Sequence, residues 1–225
     1  MTLKISNGRA FVKWGTISVL LILFSIFLVR VMVFEHQYYN EKEGSERAIV
    51  IDMDEELVEI EPTEQEVVEY TVAPDRPRYL SIERLGINNA RVLPMGINDA
   101  GELSTPNNIF DVGWYYSSGK PGNGGTLLID GHNGGPHIQG VFKDLPALGE
   151  GDIIKIERGD GAVFRYSVIE NKTIPLSESN DYMVTAMKSP MQGKESVTLI
   201  SCTGEWSDQQ KTYMSRQFVR AILVE

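Results

Sequence analysis

From Arg78 to its end, the chain consists of short β-type runs separated by glycine, proline, asparagine and aspartate. The runs recur about every ten residues, which is typical of a barrel or a sandwich. Short helical turns are predicted for Ile138 to Leu148 and for Thr185 to Lys188. The sequence therefore predicts a mostly β domain over residues 78–225 with a few short helices. The clearest runs are Tyr79 to Ile82, Ala90 to Leu93, Gly125 to Asp130, Asp152 to Glu157, Ala162 to Glu170, Val197 to Cys202 and Gln217 to Val224.

An apolar segment near the N-terminus predicts a membrane anchor. Residues 14–34 form a run of 21 residues whose only charge is Arg30, and about 20 apolar residues span the core of a bilayer. Three basic residues and no acidic residue precede it, whereas the sequence after it is acidic. The positive-inside rule therefore puts residues 1–13 in the cytoplasm and the rest outside the membrane. A cleaved signal peptide is the alternative, but no small-x-small cleavage site follows Phe34.

Residues 35–77 are predicted to form an acidic stalk outside the membrane. Twelve of the 31 acidic residues lie between Glu41 and Glu69, and low hydrophobicity with strong self-repulsion favours a solvated segment. The rest of the chain carries 19 acidic and 19 basic residues. A neutral domain creates no field that gathers phosphates, which argues against nucleic acid as a partner.

The single cysteine is the strongest candidate for chemistry. Cys202 ends an apolar run, and an unpaired thiol at a strand end in an extracytoplasmic domain is a candidate nucleophile, although a buried structural cysteine is the alternative. A nucleophilic thiol needs a proton partner, and His132 and His137 are the histidines far from the predicted anchor. His132 directly follows a β-type run; a satisfied polar residue in a glycine-rich loop is its alternative interpretation. The two histidines have no metal-site spacing and no neighbouring carboxylate, so no metal site is predicted.

Three motifs, in this order, resemble the sortase family. Gly131-His132 after a β-run resembles the segment of the catalytic histidine, and Thr198 to Cys202 (TLISC) is similar to the TLxTC signature, with Ser201 in place of the usual threonine. Ser215 to Ala221 (SRQFVRA) resembles the final strand, which carries the arginine. The resemblance covers about residues 78–225. The surroundings of the cysteine and the histidine look nearer to classes D, E and F than to class A, and no Asp-Pro-aromatic lid precedes the domain, which argues against a pilin polymerase.

The resemblance implies an eight-stranded sortase β-barrel and a membrane-anchored cysteine transpeptidase. Such an enzyme cleaves an LPxTG-like C-terminal sorting signal of a secreted protein and passes the acyl group to an amine acceptor of the cell wall, such as a peptidoglycan precursor. No metal or organic cofactor is implied. Cys202 is implied as the nucleophile, His132 as the proton donor and Arg216 as the cation beside the oxyanion.

Periodicity cannot choose between Arg216 and Arg220, because side chains two residues apart share a face of a strand. The pairing of the strands can choose. If the strand that ends at Cys202 pairs antiparallel with the strand that starts near Ser215, Arg216 lies beside Cys202 and Arg220 lies about 13 Å further along. We therefore expect Arg216 to be the functional arginine.

Two interpretations from other classes stay open. An extracytoplasmic cysteine peptidase would use the same Cys202 and His132 with water as the acceptor. A non-catalytic barrel that binds wall components would need a structural Cys202, and a thiol probe would then label the unfolded domain but not the folded one.

Overall fold

The computed structural model describes residues 57–98 and 101–225, and the eight strands in this part of the chain form a closed barrel. The strands are β1 Pro77–Ile82, β2 Ile87–Met95, β3 Val112–Tyr115, β4 Thr126–Gly131, β5 Ile153–Arg158, β6 Val163–Pro175, β7 Ser196–Ser207 and β8 Thr212–Leu223. The helices are α1 Glu64–Glu69 and α2 Leu176–Ala186, with 3-10 turns at Glu83–Leu85 and Leu145–Ala147. The predicted mostly β, eight-stranded barrel with short helices is confirmed.

The predicted membrane anchor, residues 14–34, lies outside the described residues, as do residues 1–13 and the first part of the predicted stalk. Within residues 57–98 and 101–225, no helix is both long enough and apolar enough to cross a bilayer.

The order of the strands around the barrel is β1, β2, β3, β4, β7, β8, β6, β5, and β5 closes onto β1. The pairs β2 with β3 and β4 with β7 are parallel, and the other neighbours are antiparallel. Parallel neighbours need a crossover connection, and the one from β4 to β7 contains β5, β6 and α2. This crossover puts β4, β7 and β8 side by side, so that residues from three distant parts of the sequence meet.

Alternate residues of β4, β7 and β8 face opposite sides of the sheet, as the pleat requires. Leu128, Ile200 and Phe218 face outward and pack with Ala186 at the end of α2. Tyr182 of α2 meets Phe218 edge-on, with 4.8 Å between ring centroids. Helix α2 therefore covers part of the outer face of these strands. The residues that face the interior of the barrel from the same strands are Leu127, Ile129, Val197, Leu199, Val219 and Ala221.

All seven predicted runs are strands, but the structure differs from the prediction elsewhere. Strand β3 is missing from the prediction because it has only four residues, VGWY, one of which is glycine. The stretch Ile138 to Leu148 holds only the 3-10 turn Leu145–Ala147. Of Thr185 to Lys188, only Thr185 and Ala186 are helical, as the last residues of the longer helix α2. Helix α2 was missed because its first half, LSESND, is mostly polar and shows no apolar periodicity.

Residues 57–76 differ from the solvated stalk that the composition predicts, because they lie on the barrel. Val58 forms a β-bridge with Asn108, and Thr63 begins α1 with a capping box. The Tyr70 hydroxyl donates to the Val92 carbonyl of β2 at 2.7 Å. The acidic side chains of α1 are exposed, so that the segment can keep its charge solvated while its backbone and aromatic groups bind the barrel.

Removing residues 57–76 is therefore expected to destabilise the barrel. Each intramolecular hydrogen bond contributes about 0.5–1.5 kcal/mol net, and the segment makes several, so that the free energy of unfolding should fall by at least about 2 kcal/mol. The measurement is denaturant unfolding of two soluble proteins, one beginning at residue 57 and one at residue 77. Equal midpoints for the two proteins would show that these contacts contribute nothing.

Candidate active site

The ends of β4 and β7 bring Cys202 and His132 to the same end of the barrel. The two strands are parallel, and each residue of β4 lies opposite the residue 70 positions later in β7. The same separation divides His132, the residue after β4, from Cys202. The Ser201 hydroxyl ties the two strand ends together by donating to the Gly131 carbonyl at 2.9 Å. The register thus places Cys202 and His132 at the same position along the two neighbouring strands.

Cys202 is half-buried on the outer face of β7, two residues beyond Ile200. Burial raises the pKa of the thiol, since a thiolate loses hydration there. The Arg216 guanidinium opposes this shift and lowers the pKa, whereas the charge of Asp130 adds to it. Burial is the largest of the three effects, so that the thiol is the resting form near neutral pH.

His132 is held by its backbone and by its ring. Its carbonyl accepts from the Phe142 amide at 2.9 Å, and a Cβ on Gly140 would lie 2.4 Å from that carbonyl, so only glycine fits there. Nε2 lies 2.8 Å from the Pro106 carbonyl. A carbonyl can only accept, so Nε2 carries the proton, and Nδ1 is the free basic nitrogen of the neutral ring. Burial lowers the pKa of His132, which favours the neutral ring at rest.

Alkylation of Cys202 should respond to pH with a midpoint above that of an ordinary thiol, because burial raises its pKa. The rate of reaction with iodoacetamide, measured from pH 6 to 10, tests this, and the single cysteine makes the signal specific. Arg216→Gln should move the midpoint higher still, since the cation that lowers the pKa is gone. Denatured protein is the control. A folded midpoint below the denatured one would contradict the expectation.

Arg216 is the direct neighbour of Cys202 across β7 and β8, as predicted. The two residues are paired in the antiparallel register. The guanidinium is half-buried and donates to the carbonyls of Tyr213 and Ser215 at 2.9 and 3.1 Å, and to the Thr212 hydroxyl at 3.3 Å. These bonds hold the cation at the rim of the barrel, beside the thiol.

Arg220 lies opposite Thr198, further from the rim, and has a structural environment. Its side chain is buried and pairs with Glu170 at 2.6 Å. It also donates to the Thr185 and Lys188 carbonyls at 3.1 and 2.8 Å, which fastens the end of α2 to the sheet. Arg220 is therefore a buried structural cation.

Asp130 is a residue of this region that the sequence analysis missed. It lies on β4 opposite Ile200, it is buried, and its Oδ2 accepts from the Thr105 hydroxyl at 2.5 Å. Burial raises the pKa of its carboxyl to about 7. The signal in the sequence was a carboxylate inside the otherwise apolar run Thr126 to Gly131, since buried strands rarely carry a charge.

His137, the other candidate histidine, belongs to a different part of the surface. Its side chain is 82% exposed, and Nδ1 contacts Glu59 at 2.7 Å. The Glu59 carboxylate also accepts from the His137 and Ile138 amides at 2.9 and 3.2 Å, and these bonds lower its pKa. Contact with Glu59 of the N-terminal segment thus holds His137 at the surface. Within the described ranges, no three His, Cys, Asp or Glu side chains gather as metal ligands would.

Comparison with known protein families decides the family of the chain. The model of the Sortase domain matches residues 80–224, which include Cys202, His132 and Arg216. The chain belongs to the sortase family. The family predicted from the three motifs is thereby confirmed, and membership indicates a cysteine transpeptidase. The placement of this sortase near classes D, E and F stays a prediction.

Solved sortase structures are similar to this sortase at low identity. One is a Clostridium perfringens sortase D5 transpeptidase, with 21% identity, 73% of this chain and 90% of that chain covered, and a TM-score of 0.48. Another is sortase C1 of group B Streptococcus pilus island 1, with 20% identity, coverage of 69% and 67%, and a TM-score of 0.49. Sortase A from Corynebacterium diphtheriae has 24% identity, coverage of 67% and 62%, and a TM-score of 0.47. No curated protein matches the chain.

Proposed function

We propose that the protein cleaves an LPxTG-like C-terminal sorting signal of secreted proteins and transfers the acyl group to an amine acceptor of the cell wall. The observation that carries the proposal is the register of β4, β7 and β8, which gathers His132, Cys202 and Arg216 at one end of the barrel. A nucleophile, a proton carrier and a fixed cation are the groups that acyl transfer from an amide needs.

In the acylation step, Nδ1 of His132 takes the thiol proton and the Cys202 sulfur attacks the threonine carbonyl of the signal. A C–S bond forms, and the carbonyl electrons move to oxygen. When the oxyanion collapses, the C–N bond to glycine breaks, and the His132 imidazolium gives its proton to the leaving amine. The pKa of the thiol is raised and the pKa of the imidazole is lowered. Transfer of the proton from Cys202 to His132, which forms the reactive thiolate–imidazolium pair, therefore costs free energy.

Arg216 supplies the positive charge beside the oxyanion. Its backbone lies next to that of Cys202 in the sheet, and three protein oxygens hold its guanidinium at the rim. A cation that is already in place stabilises charge that exists only in the transition state and needs no reorganisation when that charge develops.

In the second half of the reaction, an amine attacks the thioester. His132 Nδ1 removes a proton from the amine, a C–N bond forms, and the C–S bond breaks to return the Cys202 thiolate, which then recovers the proton. Transfer rather than hydrolysis requires that the amine reach the thioester faster than water does.

The proposed setting is the outer surface of a cell membrane. The apolar segment 14–34 would anchor the chain with its N-terminus in the cytoplasm. The barrel would then stand outside, where secreted proteins and amines of the wall are available as substrates. Protease added to intact spheroplasts should degrade the barrel, and a protected barrel would overturn this topology.

The test of function is mass spectrometry of the protein mixed with an LPxTG-type peptide. A thioester adduct on Cys202 is expected, and it should turn into ligated peptide when an amine is added. Cys202→Ala is the control and should form no adduct. Release of acid alone, unaffected by the amine, would identify a cysteine peptidase. A folded protein that forms no adduct and whose thiol reacts only after denaturation would identify a non-catalytic barrel.

A further inference from the structure

Asp130 occupies an unusual position for a carboxylate. The residue is 7% exposed on β4, its Oδ2 accepts from Thr105, and its Oδ1 has no hydrogen-bond partner among the described residues. Burying a carboxylate with so few partners disfavours its charged form. Leu128 and Ile129, the two residues before Asp130 on β4, pack in apolar clusters, so the carboxylate interrupts an otherwise apolar stretch of the strand.

The hydrogen bond from Thr105 connects Asp130 to the imidazole of His132. Thr105 precedes Pro106, and the Pro106 carbonyl is the group that receives Nε2–H of His132. Because its ring fixes the φ angle of Pro106, an anchored Thr105 leaves the ψ angle of Pro106 as the main torsion that sets the direction of the Pro106 carbonyl. The chain of contacts therefore runs from Asp130 through Thr105 and Pro106 to the ring of His132.

Gly113 of β3 makes room for this arrangement. A Cβ at that position would lie 2.5 Å from Asp130 Oδ1 and 3.0 Å from Pro106 Cδ. Both groups thus press against the same glycine. Strand β3 pairs Gly113 with Asp130 directly, which brings the carboxylate and the Pro106 loop together at one point of the sheet.

The charged groups near Asp130 belong to the active site. Cys202 of β7 has its pKa raised by the Asp130 charge and lowered by that of Arg216 on β8. His132 follows Asp130 by two residues, and the partners from β3 and from the Pro106 loop, Gly113 and Thr105, do not titrate. A change at Asp130 therefore acts on the reacting pair.

We propose that Asp130 and Thr105 position His132: the carboxylate fixes Thr105, Thr105 fixes the Pro106 carbonyl, and that carbonyl selects the ring form with the proton on Nε2. Nδ1 is then the nitrogen that exchanges the proton with Cys202 and with the leaving amine. Asp130 and Thr105 are positioning residues, since neither bonds to Cys202 or to the His132 ring directly. The proposal rests on the proposed function for its effect on catalysis, and it makes a statement about the imidazole that holds without it.

The experiment compares Thr105→Val with Thr126→Val in the full chain. Thr126 is the matched control, because it is a buried threonine on β4 whose hydroxyl bonds to Ser196 at 2.8 Å, at the opposite end of the strand. Thr105→Val is expected to lower kcat for peptide ligation about tenfold or more with little change in KM. Thr126→Val should leave kcat within about twofold. Equal kcat in the two variants would overturn the proposal.

Two substitutions of Asp130 separate positioning from charge. Asn keeps an oxygen that can accept from Thr105, whereas Ala removes it. Asp130→Ala should lose kcat as Thr105→Val does, and Asp130→Asn should restore it to within about threefold of the unmodified protein. If Asp130→Asn is as slow as Asp130→Ala, the carboxylate does not act through Thr105, and the proposal fails.

Nitrogen-15 NMR of histidine-labelled protein gives a readout that needs no substrate. The His132 signal, identified by its loss in His132→Gln, should report a proton on Nε2 in the unmodified protein and a mixture of both ring forms in Thr105→Val. An unchanged ring form would overturn the proposal. If no variant ligates peptide but the ring form shifts as expected, the positioning stands and the proposed function fails.

Discussion

Replacing His132 by alanine is expected to slow acylation of Cys202 by about 10²–10⁴-fold, the usual contribution of a general acid or base. Without the imidazole, nothing at the end of β4 can take the thiol proton or protonate the leaving amine. The measurement is the single-turnover rate of thioester formation with an LPxTG-type peptide, together with thermal unfolding to show that the variant is folded.

His137→Ala is the matched control for this prediction, and acylation should change by less than about threefold. The His137 ring is 82% exposed and contacts Glu59, which is part of the N-terminal segment. Losing an exposed pair has little effect on the fold. An equal loss of rate in the two alanine variants would mean that His132 has no special role.

Replacing Arg216 by alanine should lower the acylation rate by two or more orders of magnitude while the barrel stays folded. The expected loss, about 2.7–4 kcal/mol, is that of a group that stabilises an oxyanion. The register beside Cys202 is the reason to expect it at this arginine. Single-turnover acylation gives the rate, circular dichroism shows the fold, and Arg216→Lys, which keeps the charge but not the planar fork, should recover part of the rate.

Arg220→Ala provides the contrast, because it should reduce stability instead of the acylation rate. Removing one partner of a buried pair costs about 3–5 kcal/mol, and here Glu170 and the end of α2 lose their common anchor. The variant should unfold at lower denaturant concentration and, while folded, should acylate at close to the normal rate. A larger loss of acylation at Arg220 than at Arg216 would show that the assignment of roles is reversed.

The register of β7 and β8 could be predicted from sequence, whereas the environment of Arg220 could not. Antiparallel pairing of consecutive strands brings the start of β8 beside the end of the apolar run at Cys202, and this places Arg216 rather than Arg220 near the thiol. The burial of Arg220 depends on Glu170, which lies 50 residues away in β6, and on a helix without apolar periodicity. No local pattern carries that information.

Two other features depend on contacts that local sequence does not encode. Residues 57–76 look like a solvated segment when their charges are averaged, but a few groups, such as Val58 and Tyr70, bind the barrel while the acidic side chains stay in water. The link from Asp130 to His132 passes through Thr105, which lies on the loop before β3. Strand β3 was itself missing from the prediction. The charge of Asp130 inside an apolar run is visible in the sequence, but its partner Thr105 is not.

The position of β8 in the barrel has a consequence for how the protein is assembled. β8 is the last of the eight strands in the sequence, and it pairs with β7 on one side and with β6 on the other. Only residues 208–211 separate β7 from β8, so a local hairpin is enough to bring Cys202 and Arg216 together. The parallel pairing of β4 with β7 joins residues 70 positions apart, and pairings this distant in sequence form slowly. The thiol and its cation can therefore be neighbours early in folding, whereas His132 joins them only when the crossover is complete.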